Sequence, residues 1–190
     1  MPKTVRPPGT WLCPVPAVMI GCTAPGRHPN IITLAWAGTV CSDPPMVGLG
    51  IRPTRFSHEL IKATGELTVN LPNLGLLRAT DFCGVVSGRQ VNKFAALGLT
   101  PVTGRAVSAP MIAECPINLE VSVKQIIPLG SHDLFLGQIL AVHVDQEILD
   151  QHGRIDVQKF GTFAYGPGVY WEVGRALASY GFSNGEAGNG

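Results

Sequence analysis

The sequence predicts a mainly β protein, a closed or half-closed Greek-key-like antiparallel barrel with short helices between its strands. Three observations carry this. Two long alternating patterns, NLEVSVKQII (118–127) and DLFLGQILAVHVD (133–145), flank a turn at Pro128, Gly130 and Ser131, which reads as an antiparallel hairpin. Strand patterns recur, about six in all, without the regular strand–helix alternation of a parallel sheet. Glycine (23) and proline (16) are abundant among the 190 residues, so turns are many and long helices few.

Residues 1–11 read as an irregular proline-rich arm. Val15 to Cys22 (VPAVMIGC) is a first buried strand, and TAPGRHP (23–29) is a turn. Asn30 to Ile51 reads as strand, tight turn at Asp43, Pro44 and Pro45, and second strand. Thr54 to Thr64 is a short helix with Thr54 as N-cap and Phe56, Leu60 and Ile61 on one apolar face. Glu66 to Leu71 (ELTVNL) alternates as a strand. Asn73 to Leu97 reads as one or two helices broken near Gly88, and 98–116 as a loop punctuated by prolines. The hairpin follows. Glu172 to Tyr180 is expected to form a last short helix, and 182–190 a frayed tail. No linker divides the chain, so residues 1–190 are expected to form one domain.

An apolar fraction of 45% suits a packed core, while charged residues make up only 14% and the net charge is +1. No basic run is present to neutralise phosphates along a strand, so nucleic acid is not an expected partner. Five cysteines, at 13, 22, 41, 83 and 115, are scattered without a CxxC pair; they read as reduced thiols, with no metal site. The N-terminal apolar run is interrupted by Pro14 and Pro16, and no apolar segment is long enough to cross a membrane. A cytoplasmic protein without a membrane partner is expected. GxGxxG, GxxxxGK[ST], HExxH and GxSxG are all absent.

The chemistry concentrates in NIITLAWAGTVCSDPPMVGLGIRPTRFSH (30–58). Thr33, Thr39, Cys41 and Ser42 seed an apolar arm with small hydroxyl and thiol groups. Trp36 stands among Ala35, Ala37 and Gly38, which leave room for a ring system. Arg52, Thr54, Arg55 and Ser57 place cations and hydroxyls at a helix start. A flat aromatic ligand with a phosphate tail needs such parts.

PNIITLAWAGTVCSDPPMVGLGI, RPTRFSHELIKATGELTVNLP, DFCGVVSGRQVNKFAALGLTP and ECPINLEVSVKQIIPLGSHDLFLGQILAVHVD together resemble, in order, the flavin reductase-like family, over roughly residues 12–180. The resemblance implies the FMN-binding split-barrel fold and a homodimer with FMN near the subunit interface. It also implies reduction of flavin by NADH or NADPH and delivery of electrons to a monooxygenase or another acceptor; FAD in place of FMN stays open. A flavoredoxin-like electron carrier, a ferric reductase or a non-catalytic FMN-binding dimer are the alternatives. By similarity, Asn30, Thr33, Ala35, Trp36, Ala37, Thr39, Cys41 and Ser42 lie along the flavin. Arg52, Thr54, Arg55, Ser57 and Lys93 serve its phosphate, with Ser87 and Arg89 as weaker candidates. His132, in a Gly-x-His turn, lies by the flavin or nicotinamide pocket, and Tyr165 and Tyr170 are candidates for its mouth.

Overall fold

The computed structural model describes residues 1–184. In chain order the strands and helices are β1 (Val15–Pro16), β2 (Val18–Cys22), β3 (Asn30–Leu34), β4 (Ala37–Ser42), β5 (Pro45–Ile51), α1 (Phe56–Thr64), β6 (Glu66–Leu71), α2 (Leu77–Val85), α3 (Lys93–Leu97), β7 (Pro101–Thr103), β8 (Pro110–Ile112), β9 (Ile117–Pro128), β10 (Asp133–Val144), α4 (Val157–Phe160), β11 (Phe163–Tyr165) and β12 (Tyr170–Glu172). Seven strands form one antiparallel sheet in the order β3-β2-β6-β9-β10-β5-β4. The sheet curls into a half-barrel: the chain leaves β3 at one edge and enters β4 at the other. The hairpin β9–β10 is its spine, two twelve-residue strands joined at a turn where Gly130 adopts φ +106°. That left-handed region favours glycine.

Inside the curl, Ile20, Leu49, Leu60, Leu67, Val121 and Phe135 pack together. Burying each such side chain stabilises the fold by about 1.5–3 kcal/mol relative to exposure. Strand β2 is buried on both faces, because Met19 points the other way, into a second cluster with Ile31, Cys83, Phe94 and Ile112. That cluster seats α2 and α3 on the outer side of β2 and β3, and so fixes one wall of the site described below.

Buried polar groups tie the 98–116 segment to the sheet. Asn70 donates to the Met19 carbonyl (2.9 Å) and accepts from Ile112 N (3.1 Å) and Asn118 Nδ2 (2.8 Å). Glu120, fully shielded, accepts from the amides of Arg105 (3.1 Å), Ala106 (2.6 Å) and Val107 (2.9 Å) and from His143 Nε2 (2.7 Å). Burial alone would raise its pKa, but the His143 bond and the three amides together hold it near 2.

Several expectations need correction. The first arm of the 30–51 unit is two strands, β3 and β4, bent apart at Ala35–Trp36. Residues 98–116 are not a bare loop but carry the β7–β8 pair. Residues 173–179 are irregular rather than helical, and Tyr170–Glu172 is a strand, because Trp171 and its neighbours pair with β11. Thr54 is not the N-cap of α1; Arg55 holds that position and supplies no side-chain hydrogen bond. The tail beyond residue 184 lies outside the described residues. No described helix is long and apolar enough to cross a membrane.

Candidate functional site

The crossing from one sheet edge to the other creates a cleft. Ala35 and Trp36 span the gap, and the Trp36 carbonyl accepts from Gly50 N (2.8 Å), which stitches the bend to β5. A Cβ on Gly50 would stand 3.0 Å from the Trp36 Cβ, so glycine is what permits this approach. The cleft, about 380 Å³, lies between this bend, α2 and the segment carrying Tyr165 and Tyr170. That volume is in the range of small-molecule sites, roughly 300–1,000 Å³.

Its walls are ordered by hydrogen bonds. Thr33 Oγ1 donates to the Thr80 carbonyl (2.5 Å), fixing β3 to α2. The Tyr170 hydroxyl donates to Asp81 (3.1 Å), and its ring meets Tyr165 and Phe163 edge-on. Burial, then the adjacent Asp81 carboxylate, push the Tyr170 phenol up to about 12, so it stays protonated at neutral pH. At the rim, Arg52 Nε lies 3.4 Å from His132 Nε2, and His132 Nδ1 lies 2.9 Å from Ser131 Oγ. A guanidinium can only donate, so Nε2 is the acceptor and Nδ1 carries the proton. Burial and the Arg52 charge both depress the His132 pKa, which keeps the imidazole neutral.

A small concavity adjoins the cleft and shares Ile32 and Arg55 with it. Asn30, Ser57, Ser87 and Lys93 also line it. Asn30 Nδ2 donates to Ser57 Oγ (2.8 Å) in the first turn of α1. Lys93 is buried, 2% exposed, and among the described residues its ammonium donates only to neutral carbonyls, those of Ile31 (2.6 Å) and Cys83 (2.8 Å). Burial lowers its pKa, opposed by the neighbouring Cys83 and Cys22 and reinforced by Arg55. A buried cation beside an arginine and an uncapped helix start is a setting that an anion relieves.

The structure therefore gathers Thr33, Ala35, Trp36, Arg52, Arg55 and His132 around the cleft, and Asn30, Arg55, Ser57 and Lys93 around the concavity. Ala37, Thr39, Cys41 and Ser42 are not among the lining residues of either. The bend at Trp36 sends β4 away along the opposite sheet edge, where Thr39 and Ser42 are exposed and Cys41 Sγ donates to the Asp43 carbonyl (3.3 Å). Thr54 faces neither space; its carbonyl accepts from Arg89 (3.2 Å). Tyr165 and Tyr170 do line the cleft. Asp81, Gly84 and Val85 line it too without having been singled out, although their i, i+3, i+4 spacing puts them on one face of α2. Among the described residues, no group of three or more His, Cys, Asp or Glu side chains is placed to hold a metal ion.

Residues 12–173 match the family described as the flavin reductase like domain. The fold superposes on the flavoredoxin of Desulfovibrio vulgaris (Miyazaki F) with a TM-score of 0.89 and 34% identity, covering 98% of this chain and 100% of that one. It superposes on the flavoredoxin of Methanosarcina acetivorans with a TM-score of 0.88 and 30% identity, covering 95% and 96%. A protein of Archaeoglobus fulgidus is 36% identical over 131 residues, which is 69% of this chain and 73% of that protein.

Proposed function

The chain belongs to the flavin reductase like family, an FMN-binding split-barrel family, and from that premise we propose that it binds FMN in the cleft and reduces it with NADH or NADPH. The observation that carries this reading is the buried Lys93, whose ammonium is held by two neutral carbonyls beside Arg55, on a concavity that adjoins the Trp36 cleft. The residues present fit the cofactor. A phosphate monoester carries roughly −1.5 to −2 charges at neutral pH. Lys93, Arg55, the Ser57 hydroxyl and the first amides of α1 are its natural partners, and Asn30 orients Ser57. Thr33, Ala35 and Trp36 flank the ring.

Bound FMN supplies the hydride and electron chemistry. The protein's part is placement and exclusion of water. Gly50 lets Trp36 close the floor, and the Tyr170–Asp81 hydrogen bond holds α2 against the β11–β12 segment at the mouth. Neutral His132, held between Arg52 and Ser131, adds no charge at the rim, and the Arg52 guanidinium keeps N–H donors that suit the carboxamide oxygen of a nicotinamide. No general acid or base is required of the chain for hydride transfer.

The same reading includes a homodimer. Beside the cleft, Val40, Leu134 and Leu136 converge over Gly48, forming an apolar outer face that continues from Trp36 over Gly50. A second copy is the occupant proposed for it. A second functional reading, an electron carrier with tightly held FMN, is favoured by the likeness to two flavoredoxins. The visible spectrum of the purified protein, before and after NADH and then NADPH, tests the proposal. A flavin spectrum that bleaches, with turnover on added free FMN, supports the reductase. Flavin retained without turnover supports the carrier, and a colourless protein that takes up no FMN overturns both.

A further inference from the structure

A second cavity, about 420 Å³, adjoins the concavity and shares Phe56 and Gly88 with it. The concavity thus has lining residues in common with the cleft on the one hand and with this cavity on the other. Three segments build its outer part: the 23–29 turn gives Arg27, the first turn of α1 gives Phe56 and Glu59, and the loop after α2 gives Gly88 and Arg89. Arg27 and Arg89 converge on Glu59, at 3.1 and 2.9 Å, each on its own carboxylate oxygen. Both guanidinium groups also lie over the Phe56 ring, 5.9 and 5.1 Å from its centroid.

These pairs are half exposed, and exposed ion pairs stabilise a fold by only about 0–1 kcal/mol. Stability alone is a poor reason to gather them. The parts instead match those of a nucleotide. Two guanidinium groups against one carboxylate leave a positive charge for a phosphate. Planar guanidinium and phenyl faces present stacking surfaces for a base. Each Glu59 oxygen keeps a lone pair for a ribose hydroxyl.

We propose that this outer cavity is the subsite for the adenosine end of a dinucleotide whose redox-active end lies in the cleft. The inference rests on the flavin reading above and deepens it. The shared chemistry, an adenosine phosphate, can come from FAD or from the nicotinamide dinucleotide.

Arg27→Ala tests it, since Arg27 lines the outer cavity alone and is exposed. Flavin-free protein is titrated with FMN and with FAD, and FMN-loaded protein is assayed for the KM of NADH. The expected result is a weakening of one adenosine-bearing ligand by roughly tenfold, the loss of one charge-assisted contact, with FMN affinity unchanged. A change in FAD affinity identifies the flavin's own adenosine; a change in KM for NADH identifies the co-substrate's. Unchanged FAD affinity together with unchanged KM, or a parallel loss of FMN affinity, overturns the subsite. A wild-type protein that binds neither flavin overturns the flavin reading beneath it instead.

Discussion

Glu120 and Lys93 are two charges kept inside the protein for different reasons. Glu120 receives four hydrogen bonds and gives the 104–107 segment its attachment to β9. Its pKa is held near 2 against an ordinary 4.5, so its stabilisation is fully present above about 4.5 and is lost as pH falls towards 2. Glu120→Gln should lower stability by about 1–3 kcal/mol at neutral pH, since buried amides lose a charged acceptor. It should also flatten the acid limb of the unfolding curve, read by circular dichroism from pH 6 to pH 2. Lys93 behaves oppositely. A lysine whose pKa is lowered by burial costs stability while charged, and that cost is relieved only as pH rises through its depressed pKa. Lys93→Met should therefore leave the melting temperature little changed while weakening FMN by roughly 10–100-fold, the loss of one hydrogen bond between charged groups. Equal FMN affinity in wild type and variant, measured by fluorescence titration, would remove Lys93 from the phosphate site.

At the scale of elements, the hairpin and β6 were legible because alternation, turn residues and bounds all agree; β6 spans Glu66–Leu71, the alternating stretch itself, and β9–β10 extends the expected pair by a residue at most at each end except the shortened last one. The division of 30–42 into β3 and β4 was not legible. Its apolar run continues through Ala35–Trp36 without glycine or proline, and the bend is imposed by closure of the sheet rather than by local preference. That is why Thr39, Cys41 and Ser42, grouped in sequence with Thr33, are carried away from it in space. The residues proposed for the phosphate come from three separate elements, β3, α1 and α3, and only long-range packing brings them together. The loop after α2 has no spare room at one point: a Cβ on Gly88 would overlap the Asn30 side-chain amide. Gly88→Ala should displace Asn30 from Ser57, cost about 1–3 kcal/mol by overpacking and weaken FMN. Thermal unfolding with and without FMN checks this; a variant as stable as wild type and with equal FMN affinity would show that the loop shifts freely.

Across the whole molecule, one sheet must satisfy two demands. Its inner face is filled by side chains such as Phe135 and Leu49, so no ligand enters the barrel, and the site is displaced to the rim where the sheet edges meet. Its outer face over β4, β5 and β10 is left apolar: Val40, 54% exposed, stands with Leu134 and Leu136 over Gly48. An exposed edge strand such as β4 is also a liability in a lone subunit, because its free N–H and C=O groups invite pairing. Association of two copies through this face would cover the edge and bring the partner's surface against the open side of the Trp36 cleft. The proposed homodimer therefore predicts coupling between assembly and flavin binding. Light scattering should give twice the 20.1 kDa chain mass. Val40→Lys should shift the mass towards one chain and weaken FMN along with it, although Val40 lines neither the cleft nor the phosphate concavity. A dimer that survives Val40→Lys and Leu136→Lys together would place the interface elsewhere, and a monomer that holds FMN as tightly as the dimer would show that each cleft is complete on its own.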